Sequence, residues 1–356
     1  MKILQVIPYF CFGGAETMCE SLTYALGKLG HTVRVVSLYA EHTPISQRME
    51  RAGVPIRYLD KKLGMDLSMV PKLAKIIREE TPDVIHTHLN VIKYTVAAAR
   101  LAGVTNCVHT IHNVAQQEAE GRVQKIINGF YFRHGWSVPV ALSPQVQRTV
   151  ESFYSLNQAD IPVIYNGIQL DSCVPKTAYS LTDTPTLVHI GRFNEQKNHA
   201  LLLRAFQRIL VTYPQCRLLL LGDGELRQEM EALAAQLCIQ GRVFFLGSQD
   251  NVYTWLNRAD IFLLPSRYEG MPMTLIEAMG TGLPIVASAV GGVPDMLTDG
   301  ESALLTPCDE EAVAQAVIRL LENQALREKL GQNALKESSR FSANHMARKY
   351  LEIYCS

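Results

Sequence analysis

The chain has 356 residues, which suits two domains of average size better than one. Lys plus Arg and Asp plus Glu number 34 each, so no overall charge argues for a nucleic-acid partner. No apolar run reaches the length of about 18–20 residues that a membrane-spanning helix needs, and the expectation is a protein that is soluble or sits on a surface. The two halves differ slightly: residues 1–168 carry 17 basic and 13 acidic side chains, and residues 169–356 carry 17 and 21. A basic first half suggests an anionic partner there, such as a membrane surface.

The eight cysteines are scattered, with no C-x-x-C and no metal spacing. Several lie in apolar runs, as buried free thiols do, which fits a reducing compartment. In the N-terminal MKILQVIPYFCFGGAE, Pro8, Gly13-Gly14 and Glu16 make a poor secretory signal. A cytoplasmic location is expected.

Residues 2–8 read as a short apolar strand, followed by a turn over 9–14 and a helical pattern over 15–30. Strand-like runs recur at 33–38, 54–59, 84–86, 107–110 and 138–142, with helical patterns at 67–80, 92–102, 121–134 and 144–154. Such alternation predicts a parallel sheet covered on both faces. One more strand is expected at 161–164, then a turn at Tyr165-Asn166-Gly167 and a polar linker over 169–185. The alternation then restarts, with strands at 187–191, 217–221, 243–246 and 261–264 and helices at 198–212, 225–238 and 251–258. Two doubly wound α/β domains in tandem are predicted, 1–168 and 169–338. A helix over 309–332, a polar break at 336–340 and a last helix over 342–354 follow. The segment 339–356 has no strand of its own and is expected to pack across to the first domain.

The stretch 265–288, PSRYEGMPMTLIEAMGTGLPIVAS, carries the most chemistry. A strand ends at Pro265, Glu269 lies in the loop, and Pro272 suits the first turn of a helix because its φ is already helical. Glu277 lies inside that helix, Gly282 closes it, and residues 284–288 form the next strand. Free N–H groups at the helix start, with the positive end of its dipole, make a phosphate site. The two carboxylates can accept hydroxyls on either side of it. A ligand with phosphates in the middle and polyols at both ends is a nucleotide sugar. A dipole-stabilising Glu and a solvated Glu would explain the same pair.

Ligands of open parallel sheets bind beyond the carboxyl ends of the strands. The loop Gly191-Arg192-Phe193-Asn194-Glu195-Gln196-Lys197 offers a guanidinium fork and a point charge for a diphosphate, unless its charges simply pair with Glu195. Asp223, Glu225 and Asp295 read as dipole caps. In the first domain Gly13-Gly14 permits close approach of a ligand where a helix begins, or supplies a positive φ. His86, His88, His109 and His112 lie at strand ends without matching Cys or carboxylate spacing, so a metal is not expected. His112 emerges toward the expected ligand side. The side chains of Met271, Met273 and Met279 read as packing.

Taken together, Gly13-Gly14-Ala15-Glu16, Thr110-Ile111-His112, Tyr165-Asn166-Gly167-Ile168, Gly191-Arg192 with Lys197, Leu221-Gly222-Asp223-Gly224 and the Glu269/Glu277 pair resemble the retaining glycosyltransferases of family 4. The resemblance covers nearly the whole chain and implies the GT-B architecture, two Rossmann-like domains facing a cleft, the first binding acceptor and the second donor. It implies that Arg192 and Lys197 neutralise the leaving diphosphate, Glu277 holds the ribose, Glu269 faces the donor sugar, and His112 bonds that sugar near its reacting carbon. The amides of Gly270, Met271, Met273, Thr274 and Leu275 would bind sugar and phosphate, with Gly13, Gly14, Asn166, Gly191 and Leu246 completing the donor set. Asn198 stands where many relatives carry Gly.

No cofactor and no metal are implied, since the cations do the neutralising and no D-x-D triplet occurs. The donor would be a uridine-diphosphate sugar and the acceptor a hydroxyl, lipid-linked in many relatives that work at the inner face of the plasma membrane. Residues 121–136, GRVQKIINGFYFRHGW, mix basic and aromatic positions suited to an anionic headgroup region, or form an ordinary structural helix. The alternatives are a nucleotide-sugar epimerase of the same fold and a non-catalytic sugar-nucleotide binder. An NAD-dependent oxidoreductase would need a G-x-G-x-x-G that neither half contains.

Overall fold

The computed structural model describes residues 1–10, 13–119 and 121–355. Cys11 and Phe12, in the expected turn after the first strand, lie outside the described residues. The chain divides into two compact units, Met1–Gly167 with Ala343–Ser356, and Ile168–Ser342.

The first unit holds strands β1 (Lys2–Ile7), β2 (Thr32–Ser37), β3 (Ile56–Tyr58), β4 (Val84–His88), β5 (Cys107–Ile111) and β6 (Val138–Ala141). They pair in the order β3-β2-β1-β4-β5-β6, every pair parallel. Both faces are covered, so strands such as β4 and β5 are buried at every position. Helix Gly14–Lys28 buries Met18, Leu22, Ala25 and Leu26 on one stripe. Helix Ala343–Tyr354, the last of the chain, packs on Gly14–Lys28 and buries Met346, Ala347, Tyr350 and Tyr354.

The second unit holds β7 (Thr186–Ile190), β8 (Arg217–Leu221), β9 (Val243–Gly247), β10 (Ile261–Leu264), β11 (Ile285–Ser288) and β12 (Leu304–Thr306). Their order is β12-β11-β10-β7-β8-β9, again all parallel. Counted within its own unit, each sheet runs 3-2-1-4-5-6, so the order reverses between the first and fourth strands. At that reversal the connections on either side diverge and leave a crevice at the carboxyl ends. Leu203, Phe206, Leu218, Leu263 and Val317 form part of the second core. Burying one such side chain contributes about 1.5–3 kcal/mol.

Several features differ from the sequence reading. Residues 161–164 are not a strand; Val163 makes only an isolated bridge to Ala141. Helix Pro44–Arg51, opened by a capping box between Thr43 and Ser46, and strand β12 are additional. The helix expected over 309–332 is two, Glu310–Glu322 and Gln324–Ser338, because Asn323 leaves helical backbone and caps the second through Leu326 N–H. The polar stretch 336–340 instead continues that second helix and ends in a 3-10 turn. The stretch 169–185 is irregular yet packed down: Tyr179 is buried, its hydroxyl donates to Gly282 O at 2.9 Å, and Arg327 donates to its carbonyl. Among the described residues no helix is long and apolar enough to cross a membrane.

Candidate functional site

In the second unit the loops after β7, β10 and β11 converge on Glu269. Lys197 Nζ lies 2.6 Å from Glu269 Oε1, and both side chains are largely buried. Ser266 Oγ donates to the same oxygen at 2.6 Å, and Gln196 Nε2 donates to Oε2 at 3.3 Å and to Tyr268 O at 3.0 Å. The carbonyl of Glu269 accepts from Gly292 N–H at 3.1 Å. Gly291, at φ +58°, backs onto the Glu269 backbone so closely that a Cβ there would overlap its carbonyl. Two strand-end loops thus hold the carboxylate, and the loop after β11 holds the Glu269 backbone.

Arg192 is different. Its side chain is 59% exposed and its Nη2 lies 3.2 Å from Glu225 Oε2, a pair open to water. Pairing with Glu195 does not occur; Glu195 lies 3.8 Å from Arg267. Gly191 N–H donates to Leu221 O, and Gly222, at φ +129°, leaves no room for a Cβ beside the Gly191 carbonyl. Asn198 sits in left-handed backbone at φ 55°, a conformation Asn tolerates and Gly prefers, and its Nδ2 donates to Pro265 O at 3.4 Å.

Helix Met273–Gly280 begins one residue later than the proline suggested. Pro272 is its N-cap, at ψ 119°, because its own backbone is extended rather than helical. Proline has no side-chain acceptor, so the N-cap residue itself makes no capping hydrogen bond. Gly270, Met271, Met273 and Leu275 are buried, and Thr274 Oγ1 is buried without a hydrogen-bond partner among the described residues. Glu277 is buried on the same helix, and desolvation pushes its carboxyl up to about 8. Leu246, half-buried at the end of β9, accepts at its carbonyl from Gln249 Nε2.

In the first unit, polar side chains cluster inside the carboxyl ends of β1, β4 and β5. His86 Nδ1 lies 2.6 Å from Tyr354 Oη and its Nε2 lies 2.7 Å from Thr110 Oγ1, which also meets Tyr350 Oη at 2.6 Å. His88 Nδ1 lies 3.1 Å from His112 Nε2, and His88 Nε2 lies 2.9 Å from Gln5 Oε1. Glu118 accepts from the backbone N–H groups of His112 and Asn113. His112 Nδ1 is buried and, among the described residues, without a partner, and burial pulls the ring down to about 4 although Glu118 opposes it. The H-x-H nitrogens of β4 thus bond Tyr, Thr, Gln and His. Among the described residues no three His, Cys, Asp or Glu side chains are grouped to hold a metal.

Gly13 does not need a positive φ: it is extended, at φ −153°, and the Glu16 carboxylate occupies the space of a Cβ. Gly14 is the first residue of its helix, and Asn166 is buried near the end of the main segment of the first unit. Sequence reasoning missed Ser266 and Gln196 as supports of Glu269, and Gln5 and His88 as supports of His112. The only signal for them was a position in or after a strand toward its carboxyl end.

The Glycosyl transferases group 1 family pattern matches residues 177–337, and the Glycosyltransferase Family 4 pattern matches residues 12–172. The chain is 29% identical over 304 residues to N-acetyl-alpha-D-glucosaminyl L-malate synthase of Bacillus anthracis, covering 81% of this chain and 78% of that one. It is 25% identical over 291 residues to UDP-Gal:alpha-D-GlcNAc-diphosphoundecaprenol alpha-1,3-galactosyltransferase of Escherichia coli, covering 77% and 75%. The fold matches Anabaena Alr3699/HepE, solved in complex with UDP and glucose, with a TM-score of 0.87 at 20% identity over 100% of both chains. With its two halves matched by the two patterns and its two sheets by GT-B structures, this chain belongs to the group 1 and family 4 glycosyltransferases.

Proposed function

We propose that the protein transfers a sugar from a UDP-sugar to a hydroxyl acceptor, retaining the anomeric configuration and using no metal ion. The observation that carries this is the Lys197–Glu269 pair, braced by Ser266 and Gln196 on the loops at the reversal of the second sheet. Glycosidic cleavage leaves negative charge on the diphosphate and an oxocarbenium-like sugar. Lys197, Arg192 and the start of Met273–Gly280 bind that charge more strongly as it develops, which lowers the barrier. Glu269 and the amides from Gly270 to Leu275 hold the sugar and phosphates, and Glu277 holds the ribose. Gly13, Gly14, Asn166, Gly191 and Leu246 line the nucleotide, and His112 receives the sugar. The acceptor approaches on the leaving-group face and passes its proton to a phosphate oxygen. A relative named for a UDP-Gal donor and a diphosphoundecaprenol-linked acceptor supports UDP and a lipid-linked acceptor in polysaccharide or glycolipid synthesis.

Helix Gly121–Arg133 supports peripheral binding to anionic membrane at the cytoplasmic face. It turns Gln124 and Asn128 inward and Val123, Ile126 and Phe130 outward, beside exposed Arg122 and Lys125. Leu63, Met65 and Leu67, in the loop after β3, are also exposed.

Incubation with a panel of UDP-sugars should raise the melting temperature for the true donor, because a ligand of the folded state stabilises by mass action. UDP release should then require an acceptor and survive EDTA. Abolition by EDTA with rescue by manganese would overturn metal independence, and isomerisation of donor alone would favour the epimerase. Vesicles containing anionic lipid should co-sediment the protein at low salt, and less so after Arg122→Ser, Lys125→Ser and Arg133→Ser together. Indifference to lipid charge would leave an ordinary helix.

A further inference from the structure

The ring of His112 ends a chain of hydrogen bonds whose direction is fixed at its other end. Thr23 Oγ1 bonds Cys19 O at 2.7 Å, and a carbonyl can only accept, so the Thr23 hydroxyl proton points there. Thr23 Oγ1 must then accept from Gln5, whose Nε2 lies 2.7 Å away. That orients the Gln5 amide with Oε1 toward His88 Nε2, 2.9 Å away, so the proton of His88 is on Nε2 and its Nδ1 is bare. Bare Nδ1 of His88 accepts from His112 Nε2 at 3.1 Å, which places the His112 proton on Nε2. A neutral imidazole has one proton, so Nδ1 of His112 carries a lone pair. It is the ring atom that is buried without a partner among the described residues.

We propose that Gln5 and His88 are positioning residues that hold His112 as a hydrogen-bond acceptor at Nδ1, and that the ligand group it takes is a hydroxyl donor of the transferred sugar. The second half rests on the glycosyltransferase reading above; the first does not. Every bond in the chain donates toward Cys19, so no member can reverse without leaving a donor facing a donor or two lone pairs facing each other. The sequence between Thr23 and His112 thus sets which partner His112 accepts, because an acceptor-only group such as a carboxylate oxygen meets a lone pair at Nδ1.

The tautomer is read directly on the full chain, with histidine labelled by nitrogen-15, from two-bond correlations between ring protons and ring nitrogens. The expected result is protonated Nε2 and bare Nδ1 for His112 at neutral pH. A proton on Nδ1 in the wild type would overturn the proposal. Gln5→Leu removes the anchor and should give His112 a mixture of tautomers, with kcat for the nucleotide sugar falling about tenfold and UDP affinity unchanged. His88→Asn keeps an acceptor facing His112 and should retain the Nε2 tautomer and most of kcat, whereas His88→Gln should lose both.

A variant with altered tautomer and full turnover would overturn the link to the sugar. Should Gln5→Leu not fold, the wild-type tautomer and the Asn/Gln contrast at position 88 still decide. Absence of turnover with every donor would sink the glycosyltransferase reading while leaving the tautomer measurement intact.

Discussion

The two sheets share one strand order and one reversal point, yet they fill it with opposite chemistry. In the first unit the strand ends carry buried polar groups, with Gln5, His86, His88 and Thr110 almost wholly excluded from solvent. Burial pulls His86 and His88 well below the usual histidine range, so they act through proton placement rather than charge. In the second unit the same position carries ions, one pair buried at Lys197–Glu269 and one in water at Arg192–Glu225. Topology therefore supplies the place, and the residues at the strand ends decide whether it works by direction or by charge.

The largest expected effects break the charged side. Lys197→Ala and Arg192→Ala should each lower turnover about a hundredfold or more, as loss of a transition-state charge partner does. Stability should separate them. Removing Lys197 leaves the buried Glu269 without its cation, a loss of about 3 kcal/mol, whereas removing the exposed Arg192 should cost under about 1 kcal/mol. Turnover and chemical denaturation of both variants check this, and near-normal turnover in both would remove the diphosphate assignment.

Next come the carboxylates: Glu269→Ala should cut turnover more than UDP affinity, and Glu277→Ala the reverse, by about tenfold each way. Calorimetric titration with UDP beside steady-state rates distinguishes them, and equal loss of nucleotide affinity alone would cancel the division of roles. On the neutral side, Tyr350→Phe removes a partner of Thr110 and should cost about 1 kcal/mol of stability. UDP affinity should stay unchanged, as isothermal titration would show.

A further effect is in pH. Unfolded, the Glu277 carboxyl titrates near 4.5; folded, it is pushed up to about 8. Between those values the folded chain holds a proton that the unfolded chain has lost. This group's contribution to stability therefore falls as pH rises from about 4.5 to about 8, and is level beyond. Glu277→Gln should lose that slope, gaining melting temperature over wild type most at alkaline pH. A parallel pair of melting curves across pH would contradict it.

Much of the fold was legible because continuous apolar strands and periodic helices alternate along the chain. The strands at 217–221 and 261–264 and the helix at 144–154 match to the residue. What was not legible was decided by partners distant in sequence. Residues 161–164 have an apolar strand pattern, but the sheet offers them only the bridge from Val163. Leu304–Thr306 is too short to show a period and is a strand because Val286–Ser288 pairs with it. At the site, Lys197 and Glu269 could each be picked out, but their direct pairing across 72 residues could not. The same holds for Gln5 and His88, which lie 83 residues apart.

Helix Ala343–Tyr354 places Tyr350 and Tyr354 on the polar interior of a sheet whose strands all precede residue 142. On the ribosome the first unit is thus started first and finished last. The second unit, one unbroken stretch from Ile168 to Ser342, is made in between. At about 5–20 residues per second, that interval lasts on the order of ten to thirty-five seconds. Throughout it, His86 and Thr110 lie uncovered beside the apolar flank of Gly14–Lys28. Any fragment ending before residue 343 would keep that half-built face permanently.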